Sequence, residues 1–146
     1  MTDAAVQANR TAWAPLFAAW LIALLASLAV LFVGEVMGQT PCNLCWFQRA
    51  FMFPLAIVLG VAALRTEGAV WRYALPLAVG GALVAGFHSL LYLSVIPERI
   101  TPCSQGVSCS SADMTILGGL PLPMMALTAF CAIAVLLLVT RSRTST

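Results

Sequence analysis

Long apolar runs separated by short polar stretches set the rhythm of this chain: about Trp13 to Val33, about Trp46 to Leu64, about Tyr73 to Ile96 and about Leu117 to Thr140. Each reaches the roughly 20 apolar residues that a helix needs to cross about 30 Å of hydrocarbon. Backbone groups in lipid must be satisfied within their own segment, so the runs predict helices. Pro54, Pro76, Pro121 and Pro123 then kink them or mark their ends. The pattern predicts an all-α membrane protein, a four-transmembrane-helix bundle in a single membrane domain spanning 1–146. A signal peptide is the competing reading of the first run, but its apolar region would be roughly 7 to 15 residues long. Here the run continues through Val30, Leu31, Phe32 and Val33.

Composition agrees with the pattern. The 146 residues are 62% hydrophobic and 8% charged, with a mean hydropathy of +1.00, where a soluble domain carries about 25% charged residues. The net charge of +2, from seven arginines and no lysine, is too small and scattered for a nucleic-acid surface. Its placement is more informative. An even number of spans puts both termini on one side with the connector at 65–72, and that side collects Arg10, Arg65, Arg72, Arg141 and Arg143. Arg49 and Arg99 fall on the other side. By the positive-inside rule both termini are cytoplasmic, and the loops at 34–45 and 97–116 face outward.

Four of the five cysteines fall in those outward loops: Cys42 and Cys45 in the first, Cys103 and Cys109 in the second. Disulfides persist outside the cytosol, so the compartment suits two pairs. Neither loop offers a histidine, and zinc would need four thiolates gathered from both, so no metal site is expected. Trp46 after Cys45 excludes c-type haem attachment. Cys131, among Ala129, Phe130, Ala132 and Ile133, reads as a small hydrophobe without chemistry.

The first pair has the spacing of a redox dithiol. A helix opening at Cys-x-x-Cys points its unpaired N–H groups and positive dipole end at the sulfurs, which favours thiolate, especially at Cys45. Arg49, four residues on, shares the helix face of Cys45 roughly 6 Å further along the axis. Snorkelling to head groups is its bland reading. Beside a thiolate-poised pair, the guanidinium reads instead as a group that stabilises negative charge on a lipid-soluble oxidant such as a quinone carbonyl. The second pair lies in ITPCSQGVSCSSAD, a polar segment with Pro102 and Gly106 and no helical period. It is either a surface staple or an accessible disulfide open to attack by a protein thiolate.

PCNLCWFQR opening the second helix, FHSLLY late in the third, a two-cysteine outer loop and LPLPMMAL at the start of the fourth together resemble the disulfide-bond-formation protein B (DsbB) family. Its short-loop branch, typified by disulfide formation protein C of Gram-positive bacteria, fits best. The resemblance runs from Phe17 to Leu138.

It implies a thiol:quinone oxidoreductase of the bacterial inner membrane. Such an enzyme reoxidises a periplasmic or extracytoplasmic thioredoxin-fold (DsbA-like) donor and passes electrons to ubiquinone or menaquinone. It further implies that Cys103 forms the mixed disulfide with the partner and that Cys109 is its mate. Cys42 then exchanges with Cys103, and Cys45 contacts the quinone that Arg49 positions. His88 matches a family histidine near the quinone ring, and a hydrogen bond between helices is its equally open alternative. Glu35, in a polar exposed loop, could accept a proton, but a cap on the outer end of the first helix is the preferred reading.

Two features depart from the best-known branch. The second cysteine loop is too short for a lateral membrane-surface helix, and residue 48 is Gln rather than acidic, leaving Arg49 without a local counter-charge. The rivals are a vitamin K epoxide reductase-like enzyme, whose Cys-x-x-Cys is expected late in a final helix, and a non-enzymatic scaffold with stapled loops or a four-thiolate metal.

Overall fold

The computed structural model describes residues 3–96, 115, 116 and 119–144, with side chains for 11–96, 115, 119 and 121–144. Arg99, Cys103 and Cys109 lie outside the described residues.

Four long helices account for most of them: α1 (Asp3–Leu31), α2 (Asn43–Arg65), α3 (Trp71–Tyr92) and α4 (Leu122–Thr144). Each is long and apolar enough to cross a membrane, as the sequence pattern predicts. α1 runs on through a π-helical turn, Phe32–Val36, which closes with Met37 N–H donating to the Phe32 carbonyl at 3.2 Å. Gly38, at φ +68°, then takes the left-handed conformation that turns the chain toward α2.

The ends of α2 and α3 share a design that the apolar pattern does not reveal. Thr66 (φ 53°) and Ser94 (φ 57°) adopt left-handed conformations without being glycine. Behind Thr66, Glu67 N–H reaches the Ala62 carbonyl at 2.9 Å; behind Ser94, Val95 N–H reaches the Leu90 carbonyl at 3.0 Å. These are paired Schellman closures that satisfy carbonyls left over at a helix end. The second stops α3 at Tyr92, short of the Ile96 expected from hydropathy. α4 begins at Leu122 rather than Leu117, because a short antiparallel ladder precedes it: β1 (Thr115–Ile116) pairs with β2 (Leu120–Pro121). Pro123 sits in the first helical turn, where a missing N–H costs nothing.

Around the bundle, α1 and α3 each pack between α2 and α4. Large side chains fill the centre, with Leu16, Leu55, Leu59, Phe130, Ile133 and Leu137 fully buried. Alanines and glycines let the backbones approach, as expected where lipid tails are as apolar as leucine and close packing drives association. The ring of Phe130 lies where a Cβ on Gly81 would be, and Phe51 covers Gly80 in the same way. Buried hydroxyls turn back on their own helices: Ser27 Oγ donates to the Ala23 carbonyl at 2.7 Å and Ser89 Oγ to the Ala85 carbonyl at 2.8 Å. Leu25, Ile57, Leu64, Leu83 and Val135 point outward, as a lipid-facing surface requires.

Arg65 closes α2 while Arg72 opens α3, and Arg141 and Arg143 lie in the last turn of α4. These arginines therefore share one end of the bundle. There Arg141 lies over the Trp71 ring at 4.8 Å and Arg143 donates to the Thr11 carbonyl at 3.0 Å. The Cys-x-x-Cys pair is at the opposite end. Cys131 lies on the exposed face of α4.

Candidate functional site

Local sequence builds the pair's geometry. Pro41 delivers the chain to Cys42 in an extended conformation (φ −72°, ψ 169°), making Cys42 the N-cap of α2. Serine, threonine, asparagine or aspartate usually occupies this place, with a side-chain oxygen accepting from the first turn. Here a sulfur takes that role: Cys42 Sγ accepts from the Cys45 N–H at 3.4 Å. One turn on, the Cys45 thiol comes within 3.0 Å of Cys42 Sγ. That contact, with Cys45 donating, holds Cys42 well below the ordinary thiol range, at about 4. Burial opposes the shift, and His88 adds to it. The dithiol's first negative charge therefore belongs to Cys42, whereas sequence position favoured Cys45. The N-cap sulfur, rather than the one inside the first turn, is where the helix N–H and the neighbouring S–H converge.

The two cysteines face different surroundings. Cys42 is 2% exposed and packs with Leu44 and Leu91. Its Sγ lies 3.8 Å from Nε2 of His88, which is fully buried on α3. On the far side of the imidazole, Nδ1 meets the side-chain amide of Gln48 at 2.9 Å. Cys45 is half-buried and looks the other way. With Gln48, Arg49 and Met52 it lines a cavity of about 700 Å³ between α1, α2 and α4, to which Gly38–Pro41 also contribute. Apart from this polar corner, the walls from α1 and α4 are apolar, among them Ile22, Val30, Met125 and Phe130.

Arg49 is held within that wall. Nη2 donates to the Val30 carbonyl at 3.0 Å, and the guanidinium lies 5.3 Å from the Trp46 ring centroid. A Cβ on Gly34 would stand 3.2 Å from Nη2, so the glycine makes room for the charge. Among the described residues no carboxylate pairs with it, and Glu35 is exposed.

Of the residues singled out from sequence, the structure brings Cys42, Cys45, Arg49 and His88 to one end of the bundle. His88 stands against Cys42 and behind Gln48, and it does not line the cavity. Sequence reasoning assigned Gln48 no partner. A primary amide at membrane depth must be hydrogen-bonded, and that signal pointed to another helix without saying which residue answered.

Fold and site together define a multi-pass helical membrane protein with a redox-capable dithiol beside an apolar cavity. The profile of the family Disulfide bond formation protein DsbB matches residues 9–140, and the chain belongs to that family. It is 54% identical over 140 residues to the probable disulfide formation protein of Metapseudomonas resinovorans, covering 95% of this chain and 97% of that one. Identity to disulfide bond formation protein C of Bacillus subtilis (strain 168) is 38%, covering 82% and 87% of the two chains. To the probable disulfide formation protein of Chlamydia trachomatis serovar D it is 37%, covering 88% and 93%. No solved structure matches the chain significantly. Membership gives the protein a redox role in disulfide bond formation, with a thiol–disulfide partner.

Proposed function

We propose that the protein is a thiol:quinone oxidoreductase that reoxidises an extracytoplasmic thioredoxin-fold, DsbA-like donor and delivers its two electrons to a membrane quinone. The observation that carries this reading is the sharing of one cavity wall by Cys45 and Arg49, at one end of the membrane-spanning helices, while Cys42 faces away. The arginine-rich opposite end supports cytoplasmic termini, with the cysteines at the outer face of a bacterial inner membrane.

The cavity fits a quinone in its chemistry. Its apolar walls suit an isoprenoid chain, and the Gln48 amide with the Arg49 guanidinium supplies donors for a carbonyl oxygen. A quinone bound there supplies the two-electron, two-proton acceptor that returns the dithiol to a disulfide.

The remaining steps belong to the chain. A partner thiolate attacks the Cys103–Cys109 disulfide at Cys103, and Cys109 leaves as thiolate. The partner's second thiol resolves the mixed disulfide, so the partner is oxidised and Cys103 and Cys109 are reduced. Cys103 thiolate then attacks Cys42 of the inner disulfide, and Cys45 leaves as thiolate into the cavity wall. Arg49 and the α2 N-terminus favour that developing charge. His88, against Cys42, is placed to hydrogen-bond the sulfur that is attacked. Cys109 thiolate then attacks Cys103, restoring the outer disulfide and releasing Cys42, so the two electrons come to rest on the Cys42–Cys45 dithiol.

The test is the protein with its Cys103–Cys109 disulfide intact, incubated with a reduced thioredoxin-fold donor whose second active-site cysteine is replaced by alanine, so that the donor cannot resolve the adduct. A mixed disulfide at Cys103 is expected to accumulate, and with the unaltered donor the protein in nanodiscs is expected to reduce added quinone in step with donor oxidation. Absence of both the adduct and quinone reduction overturns the reading in favour of a stapled scaffold.

A further inference from the structure

Sequence offered no metal site because neither outer loop carries a histidine. The fold supplies one from elsewhere. His88 comes from α3, and its ring nitrogen lies with the sulfurs of Cys42 and Cys45 in a cluster whose ligand atoms are all within 4.8 Å of one another. We propose that the reduced Cys42–Cys45 pair and His88 bind a thiophilic divalent cation of the Zn²⁺ or Cd²⁺ class, as a two-sulfur, one-nitrogen site that exists only in the dithiol state.

The distances fit with a small adjustment. Zn–S near 2.3 Å and Zn–N near 2.0 Å put tetrahedral ligands about 3.8 Å apart for two sulfurs and about 3.5 Å apart for sulfur and nitrogen. Cys42 Sγ to His88 Nε2 is 3.8 Å. The sulfurs stand at 3.0 Å and must part, a movement open to the half-buried Cys45 and not to the enclosed Cys42. The fourth position opens on the cavity that Cys45 lines, leaving it for water or another exchangeable ligand.

Gln48 completes the arrangement. A metal-binding imidazole needs its other nitrogen hydrogen-bonded to fix the tautomer. Rotating the Gln48 amide by 180° presents its oxygen to Nδ1–H at the existing 2.9 Å and frees Nε2 for the metal. Arg49 nearby opposes a free dication, but two thiolates neutralise that charge, and the guanidinium is tied to the Val30 carbonyl. Binding displaces the remaining thiol proton and neither makes nor breaks a sulfur–sulfur bond. A metal-bound pair cannot be oxidised until the cation leaves, so on the function proposed above, the cation arrests the enzyme in its reduced form.

The experiment uses the full chain in nanodiscs, reduced, freed of reductant and titrated anaerobically with Co²⁺, with Zn²⁺ as competitor. One equivalent is expected to produce thiolate-to-cobalt charge transfer and the visible bands of a tetrahedral site, and the disulfide form is expected to produce neither. A Cys103→Ser/Cys109→Ser double variant retains the signal, as does Cys131→Ser. Gln48→Leu weakens affinity about tenfold to a hundredfold, as loss of a supporting hydrogen bond does, and His88→Ala by at least as much. Undiminished affinity in His88→Ala, or loss of the signal in the double variant, overturns the site. Should His88→Ala fail to fold, the ¹¹³Cd resonance of the wild type decides: a two-sulfur, one-nitrogen shift supports the site and a four-sulfur shift overturns it. Binding is read without partner or quinone, so a failure of the oxidase reading leaves this test intact.

Discussion

Gln48 and His88, from neighbouring helices, form a hydrogen bond of 2.9 Å that links the cavity wall to the buried sulfur of Cys42. Gln48 lines the cavity on one side, and His88 touches Cys42 on the other. Replacing Gln48 by Leu removes its hydrogen bond to the buried imidazole, a loss of about 1 to 3 kcal/mol. The expected result is a lower thermal midpoint in detergent and a smaller thiolate absorbance near 240 nm in the reduced protein. Equal absorbance in the variant and the wild type would show that the amide does not act on Cys42.

The thiol of Cys42, lowered to about 4, has a consequence for the redox potential of the pair. An unperturbed thiol ionises near 8.5. A group whose value falls on folding stabilises the folded dithiol fully above the unfolded value and loses that contribution as pH drops through about 4. Between these limits reduction of the inner disulfide takes up two electrons and one proton. The midpoint potential should fall by about 30 mV per pH unit from about pH 5 to 8, against about 60 mV for a pair taking up two protons. Glutathione-redox titrations of a Cys103→Ser/Cys109→Ser variant measure the slope, and about 60 mV throughout that range refutes the assignment.

Much of this architecture was legible in the sequence because lipid imposes a simple rule: an apolar run of sufficient length must be a helix. The Cys-x-x-Cys pair and Arg49 were legible for a similar reason, since a fixed spacing on one helix sets their common face. What stayed hidden depends on contacts between helices or on backbone geometry. Nothing in hydropathy marks Ser94 as the left-handed residue that ends α3, because serine rarely takes that place. Likewise the sequence left His88 open between a quinone contact and a hydrogen bond to another helix, and only the packing of α3 names the partners, Gln48 on one side of the ring and Cys42 on the other.

Gly81 is expected to tolerate no side chain. A Cβ there would overlap the Phe130 ring, which is fully buried between α3 and α4. Forcing an extra methyl into a packed site costs typically about 1 to 3 kcal/mol. Gly81→Ala should therefore lower the thermal midpoint clearly, while Gly86→Ala, whose nearest neighbour would be Leu127 at 3.9 Å, should leave it close to wild type. Equal midpoints for the two variants would mean that the helices shift freely at Gly81.

Arg49 is the sharpest test of what the cavity is for. Its guanidinium reaches the Val30 carbonyl at 3.0 Å and the Trp46 ring, so part of its role is to join α2 to α1. If that were all, Arg49→Met would lower stability and leave quinone kinetics unchanged at permissive temperature. A charged donor to a carbonyl oxygen is worth about 1.5 to 3 kcal/mol, or roughly tenfold to a hundredfold in affinity. Arg49→Met should therefore raise the apparent KM for quinone by about that factor. The rate of exchange between the donor protein and Cys103, measured anaerobically without quinone, should stay at the wild-type value, because that chemistry does not involve the cavity. Arg49→Lys should recover only part of the loss, since a single ammonium cannot bond the Val30 carbonyl and a quinone oxygen with the same planar fork. A KM that moves equally with Met and Lys, or with neither, would leave Arg49 as an interhelical tie.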